Sequence, residues 1–233
     1  MWSGPRNIST TMMRSFGARA NCAVSDEPFY GCFLKDTGAD HPMADAVIAD
    51  MDCDWHSVAT TMRGDAPGAA PLWYQKHMPH HMTGPVSIRD FPGHRHAFLI
   101  REPERVIASY GAKRGEARFE DLGYARLLEY FEWARGEGLA PAVVDTTTLL
   151  ADPARGLVAL CERLGIAWDP AMLHWQPGIH PEDGIWASHW YDQVAASTGF
   201  GPPAGPLPEL DGDAARLADE CRPYYAAMRA YSI

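Results

Sequence analysis

Four short apolar runs, at residues 22–24, 72–75, 96–100 and 141–145, are each cut off by charged or turn-forming residues. Runs of that length bounded by turn signals predict buried strands. Between them, apolar residues recur at helical spacing. Met12, Met13 and Phe16 form one set, and Phe29, Tyr30, Phe33 and Leu34 behind Pro28 form another. Met43, Val47, Ile48 and Met51 share a face within 41–63, Val106, Ile107 and Tyr110 follow Pro103, and Leu157, Leu160 and Leu164 follow Asp152 and Pro153. These sets predict helices, the last closed by Gly165; two more are predicted over 120–136 and 213–231, the latter running through Pro223. From 168 to 208 the chain is rich in Trp, His, Gly and Pro, which predicts a long loop serving as a lid or an acceptor loop. Strands that alternate with helices, without an internal repeat, predict a single α/β domain over residues 1–233, with three α/β/α layers around a parallel sheet.

Such sheets bind ligands at the carboxyl ends of their strands, and the chemistry-bearing residues fall there. Asp26 with Glu27, Lys76 with His77, and Arg101 each follow a predicted strand. The first sixteen residues add another element at that edge. Trp2 is followed by Ser3, Gly4 and Pro5, then Arg6, Asn7 and Ile8, and Ser9, Thr10 or Thr11 is placed to cap the first helix. A turn feeding a helix start leaves backbone N–H groups converging on one spot, which suits phosphate or sulfate. Aligned with a P-loop, Gly4 takes the first glycine's place, Ser9 the second's, Thr10 the lysine's and Thr11 that of the Ser/Thr. The lysine is absent. Arg6 brings positive charge from inside the loop, where a guanidinium grips phosphate or sulfonate oxygens two at a time. Only Met1 and Trp2 precede the loop, so the strand before it is very short or begins upstream.

Charge narrows the partners. A formal net charge of −10 argues against a general nucleic-acid or anionic-membrane binder, which needs a basic face. A small anionic ligand needs only a local cluster of arginines. The five cysteines are scattered without a C-x-x-C pair, and no apolar run reaches the roughly 20 residues that span a bilayer. With no secretory segment, reduced thiols and a cytoplasmic protein are expected.

Arg101 sits at a strand end and Ser109 about two turns into the next helix. A nucleotide phosphate at that corner would accept from both; the plainer alternative is an arginine tying a loop. Walker-B chemistry wants an aspartate at this strand end to hold magnesium, and Arg101 stands there instead. Lys76, His77, His80 and His81 contain an H-x-x-H pair without a nearby third ligand, so no metal is expected. Trp186, His189, Trp190 and Tyr191 suit an acceptor pocket or lid, or an aromatic loop covering the sheet edge.

The loop at residues 4–11 and the run Arg-Glu-Pro-Glu-Arg-Val-Ile-Ala-Ser at 101–109 together resemble the P-loop-fold sulfotransferases. Asp26-Glu27-Pro28 and residues 190–200 further resemble a sulfotransferase-like group, some of whose members carry aminotransferase-like names. The resemblance implies a P-loop NTPase-like fold of the sulfotransferase type and 3′-phosphoadenosine-5′-phosphosulfate as co-substrate. It places the 5′-phosphosulfate on Gly4, Pro5, Arg6, Asn7, Ile8, Ser9, Thr10 and Thr11, and the 3′-phosphate on Arg101 and Ser109. Asn7-Ile8 stands where the family's loop usually has Ser-Gly. His77-Met78-Pro79 is similar to the end of the family's Lys-x-His-Leu-Pro stretch, which implies His77 as the catalytic base. In that register the family's lysine falls on Gln75, and Lys76 stands one place late.

Sulfuryl transfer needs a base for the acceptor's proton and cations to spread charge over the moving sulfonate. His77 fits the first role and Arg6 the second, with Lys76 assisting the leaving phosphate and Glu27 as the rival base. Simpler roles stand beside these: a loop histidine bonded to backbone, a solvated lysine, and a glutamate paired with an arginine. The implied function is transfer of a sulfuryl group to a hydroxyl or amine of a small-molecule acceptor, with no metal. The alternatives are a P-loop kinase or nucleotide hydrolase, and a non-catalytic nucleotide-binding protein on the same fold.

Overall fold

The computed structural model describes residues 1–233, the side chain of Arg114 excepted. In chain order its elements are β1 (Trp2–Ser3), α1 (Ser9–Gly17), β2 (Cys22–Asp26), α2 (Tyr30–Thr37), α3 (Ala44–Asp50), α4 (Trp55–Arg63), β3 (Leu72–Lys76) and β4 (Ala97–Ile100). There follow α5 (Pro103–Arg114), α6 (Phe119–Leu122), α7 (Tyr124–Gly136), β5 (Ala142–Asp145), α8 (Thr146–Ala151), α9 (Pro153–Leu164), α10 (Ala187–Trp190), α11 (Asp192–Ala195) and α12 (Gly212–Arg229). All strand pairs are parallel, in the ladders β1-β4-β5 and β2-β3. A parallel bridge between Trp2 and His77 stitches the ladders together: Ser3 N–H donates to His77 O at 3.0 Å, and His77 N–H donates to Met1 O at 2.9 Å. The strands therefore run in the order β2-β3-β1-β4-β5, with the two-residue β1 at the centre.

Side chains alternate across this sheet and each face has its own core. Trp2, Phe98, Ile100 and Val143 pack with Leu127, Tyr130 and Phe131 of α7, Val58 of α4 and Met228 of α12. Ala97, Leu99, Ala142 and Val144 pack with Met12, Met13 and Phe16 of α1 and Leu157 and Leu160 of α9. The architecture is the three-layer α/β/α arrangement with a parallel sheet. Among the described residues no helix is long and apolar enough to cross a membrane.

Two of the long predicted helices are each two. Residues 41–63 divide into α3 and α4 because Asp54 caps a new helix, accepting from Ser57 N–H at 2.7 Å. Residues 120–136 divide into α6 and α7 at Gly123, whose φ of 72° no right-handed helix accommodates. Helix α9 is framed as expected, by the Asp152 side chain at one end and left-handed Gly165 at the other. The 168–208 stretch is largely irregular and carries the single-turn helices α10 and α11.

Candidate active site

The carboxyl ends of β1, β2, β3 and β4 open onto one cavity of about 550 Å³. The loop between β1 and α1 forms one wall. Its φ values alternate in sign, with Arg6 at 59° and Ile8 at 55° in the left-handed region and Asn7 between them outside it. Alternation of this kind turns successive N–H groups toward a common concavity that binds anions. For branched Ile8 the conformation costs of order 1–3 kcal/mol, and such strain concentrates where loops serve function. Ile8 thus adopts the shape a glycine would have taken. It also occupies the N-cap position of α1 without any side-chain cap, so the expected capping by Ser9, Thr10 or Thr11 does not occur. A cap needs a side-chain oxygen on the residue preceding the first turn, and Ile8 has none. Among the described residues no side chain caps the first-turn N–H groups of α1.

Residues around the loop lock it. Asn7 is buried and donates from Nδ2 to Leu99 O at 3.1 Å, tying the loop to β4. Arg101, at the end of β4, donates from Nη1 to Arg6 O at 2.6 Å. Arg6 Nε in turn donates to Ser109 Oγ of α5 at 3.0 Å. Pro5, Arg6, Asn7, Ile8, Ser9, Thr10, Thr11, Arg101 and Ser109 all line the cavity, so the two stretches singled out in the sequence meet in one wall. Gly4 does not line it. A Cβ on Gly4 would come within 2.7 Å of Leu122 O, so the glycine is needed for close backbone approach to α6 rather than for a phosphate.

The opposite wall is built on the ends of β2 and β3. Lys76 is 1% exposed, and its ammonium donates to Asp26 Oδ1 at 2.7 Å, Glu27 Oε1 at 2.7 Å and Tyr191 OH at 2.8 Å. An ammonium has three N–H groups, and all three are committed. Burial alone would discharge Lys76, but the carboxylates of Asp26 and Glu27 outweigh it and hold its pKa well above the usual value. Tyr191 OH donates onward to Asp26 Oδ2 at 2.6 Å, so this segment between α10 and α11 is pinned to the charged centre. The expected role of Lys76 at a leaving phosphate finds no N–H to serve it here; its place in the structure is to hold Glu27 and Asp26.

Glu27 is left-handed at φ 44°, and its Oε2 lies 3.5 Å from His81 Nδ1. The His81 ring stacks against Tyr30 at 4.8 Å and Phe33 at 4.5 Å between centroids. Glu27, Tyr30, His80, His81, Trp186, Trp190 and Tyr191 line this side of the cavity, whereas His189 is exposed and does not.

His77, the base implied by the resemblance, lies elsewhere. It follows Lys76 directly, so strand alternation turns it to the other face. There it stacks on Trp2 at 4.6 Å and its Nε2 meets Gln75 Oε1 at 3.1 Å. Burial keeps its imidazole neutral, with a pKa well below the ordinary value. His77 lines a second cavity of about 500 Å³ with Trp2, Gln75, His94 and His96, not the one holding the loop. The physical reason is parity: adjacent strand residues cannot both face one site. His80, in the turn after β3, lines the cavity of the loop while His77 lines the other one, so the two do not converge as a ligand pair. Among the described residues no group of three or more His, Cys, Asp and Glu is arranged to hold a metal. Asp26 and Tyr191 emerge as members of the charged centre that the sequence did not single out for it. Asp26 was accessible from its place at a strand end, but its meeting with Tyr191 joins positions 165 residues apart.

Comparison with known proteins adds the following. A family model described as "Sulfotransferase domain" matches residues 1–232. Two Arabidopsis thaliana proteins, "Branched-chain-amino-acid aminotransferase-like protein 2" and "Branched-chain-amino-acid aminotransferase-like protein 1", are each 34% identical over 99% of this chain. The chain spans about two fifths of their length, 41% in each case. Among solved structures, a "Sulfotransferase Domain from the Curacin Biosynthetic Pathway" is similar with a TM-score of 0.49 and 13% identity, covering 95% of both chains. A "Sulfotransferase Domain from the Synechococcus PCC 7002 Olefin Synthase" is similar with a TM-score of 0.48 and 16% identity, covering 94% of this chain and 92% of that one.

Proposed function

This chain belongs to the sulfotransferase domain family, and on that premise we propose that it moves a sulfuryl group from 3′-phosphoadenosine-5′-phosphosulfate to a hydroxyl or amine of a small molecule. The observation that carries the proposal is the meeting, in one cavity, of an uncapped helix start, Arg6, Arg101 and Ser109 facing a wall that holds Glu27. In this reading the phosphosulfate lies against residues 5–11, where loop N–H groups and Arg6 spread the charge that develops on the moving sulfonate. The 3′-phosphate lies at the Arg101 and Ser109 corner. The acceptor's oxygen or nitrogen attacks sulfur, the bond from sulfur to the 5′-phosphate oxygen breaks, and the nucleotide leaves as 3′-phosphoadenosine-5′-phosphate. Glu27 takes the acceptor's proton. Lys76, itself held by Asp26 and Tyr191, is a positioning residue that fixes the Glu27 carboxylate through its 2.7 Å hydrogen bond to Oε1. The residues that would hold the nucleotide are donors of hydrogen bonds and positive charge, as a polyanion requires.

Calorimetric titration of the full chain with 3′-phosphoadenosine-5′-phosphate, beside ATP with magnesium, tests the donor assignment. The wild type is expected to bind the 3′-phosphorylated nucleotide in preference to magnesium-ATP. Arg101→Ala is expected to lose about tenfold or more of that affinity, the scale of one lost charge-assisted contact. Preference for magnesium-ATP, or undiminished binding by Arg101→Ala, contradicts it.

A further inference from the structure

Among the described residues, Lys113 is a further cation lining the cavity beside the corner where Arg6, Arg101 and Ser109 meet. Lys113 stands on α5 four residues beyond Ser109, so the two side chains share a helix face, and both line the cavity. The Lys113 ammonium lies 3.4 Å from Asp192 Oδ2, the first residue of α11, which also lines the cavity. Both members are substantially exposed, Lys113 at 39% and Asp192 at 67% of their side chains, and an exposed pair of this kind holds weakly. A carboxylate on the wall of a cavity that takes a polyanion works against its ligand, unless that carboxylate gives way when the ligand arrives.

Resting on the donor reading above, we propose that Lys113 is a further ligand of the nucleotide's 3′-phosphate and that Asp192 holds its place until the nucleotide binds. The phosphate, with more negative charge and more acceptor oxygens than a single carboxylate, displaces Asp192 from Lys113. The displacement reaches the chemistry because Asp192 adjoins Tyr191, whose hydroxyl bonds both Asp26 and Lys76 in the charged centre holding Glu27. Filling the phosphate corner therefore acts on the segment that covers the acceptor side. Asp192 is an internal competitor of the donor, and α11 is the element it releases.

The test is calorimetric titration of the full chain and its Lys113→Met, Asp192→Asn and doubly substituted forms. Each is titrated with 3′-phosphoadenosine-5′-phosphate and with adenosine 5′-phosphate, which lacks the 3′-phosphate. Lys113→Met is expected to weaken the first nucleotide about tenfold, the scale of one charge-assisted contact, and to leave the second within about twofold. Asp192→Asn is expected to tighten the first about threefold, and that gain is expected to vanish on the Lys113→Met background. Equal affinity of wild type and Lys113→Met for the 3′-phosphorylated nucleotide overturns the ligand assignment. A gain from Asp192→Asn that survives in the double variant overturns the placeholder, since Asp192 would then act without Lys113. Wild type that fails to distinguish the two nucleotides sinks the donor reading itself, which is a separate result. Both residues are exposed, so thermal melts of all four proteins are expected to coincide.

Discussion

Lys76 is the last residue of β3 and His77 the one after it, in the bridge to Trp2, and the two belong to different halves of the molecule. Lys76 is buried but charged, with three hydrogen bonds to acidic and phenolic partners, and it faces the cavity of the phosphate-type loop. His77 is equally buried, neutral, and wedged between the Trp2 ring and Gln75 on the opposite face. The surroundings of His77 repeat the pattern. His96 accepts from Trp2 Nε1 at its Nδ1 (3.2 Å) and meets Phe91 O at its Nε2 (3.1 Å), which fixes one neutral tautomer. One face of the sheet edge concentrates charge around an opening; the other stacks uncharged rings around a core. Strand alternation, more than residue type, decides which titratable side chain is available for chemistry.

The sharpest way to break this contrast is to remove the charge on the cavity side. Lys76→Met leaves Asp26 and Glu27 buried without their cation, and a loss of about 3–5 kcal/mol is expected in urea melts at neutral pH. If the variant melts like the wild type, Lys76 is not the keystone described here. The other face is broken by acid. His96 has a folded-state pKa lowered by burial to about 4, against 6.5 when exposed. Between those values the unfolded chain binds more protons than the folded one, so stability falls as pH drops from about 6.5 toward 4 and is insensitive to His96 above that window. At about 1.4 kcal/mol per pH unit, His96 alone accounts for of order 2 kcal/mol between pH 6.5 and 5, and His77 shifts in the same direction. Chemical denaturation at several pH values checks this; a flat profile across the window contradicts it. The smallest effect is expected at the loop. Ile8→Gly relieves a left-handed branched residue but removes apolar packing against the α1 core, so stability is expected to change by less than about 1 kcal/mol. Affinity for 3′-phosphoadenosine-5′-phosphate is expected to stay within about threefold. A collapse of binding would mean that the Ile8 side chain itself is required.

Much of this architecture was legible along the chain, for reasons that are local. The strands β2, β3, β4 and β5 are short apolar runs ended by charge, and α9 carries its cap residues in plain order, Asp152-Pro153 before and Gly165 after. The phosphate-type wall was legible because its two halves each have a fixed spacing, one in the β1–α1 loop and one from Arg101 to Ser109. The breaks within 41–63 and 120–136 were also present, as Asp54 and Gly123, but apolar periodicity runs through both and masks them. The choice between Lys76 and His77 was carried by a motif whose lysine and histidine sit two places apart, hence on one face. In this chain Gln75 and His77 keep that parity on the core side, and the cation at the cavity is Lys76. The remaining partner, Tyr191, lies in an irregular stretch whose placement depends on tertiary contacts, including the buried pair of Arg14 and Asp183 at 2.6 Å. No local pattern announces such a contact.

The most direct test compares one residue from each face in turnover. Release of 3′-phosphoadenosine-5′-phosphate from 3′-phosphoadenosine-5′-phosphosulfate is measured at saturating donor, with an acceptor found by screening, for Glu27→Gln and His77→Phe. Activity is normalised to folded protein. Glu27→Gln is expected to lose about 10³-fold in kcat, the scale of a missing general base, with donor affinity retained. His77→Phe, which keeps a ring against Trp2, is expected to stay within about threefold in kcat. The reverse outcome, a silent Glu27→Gln and an inactive but folded His77→Phe, would place the chemistry on the face assigned here to the core.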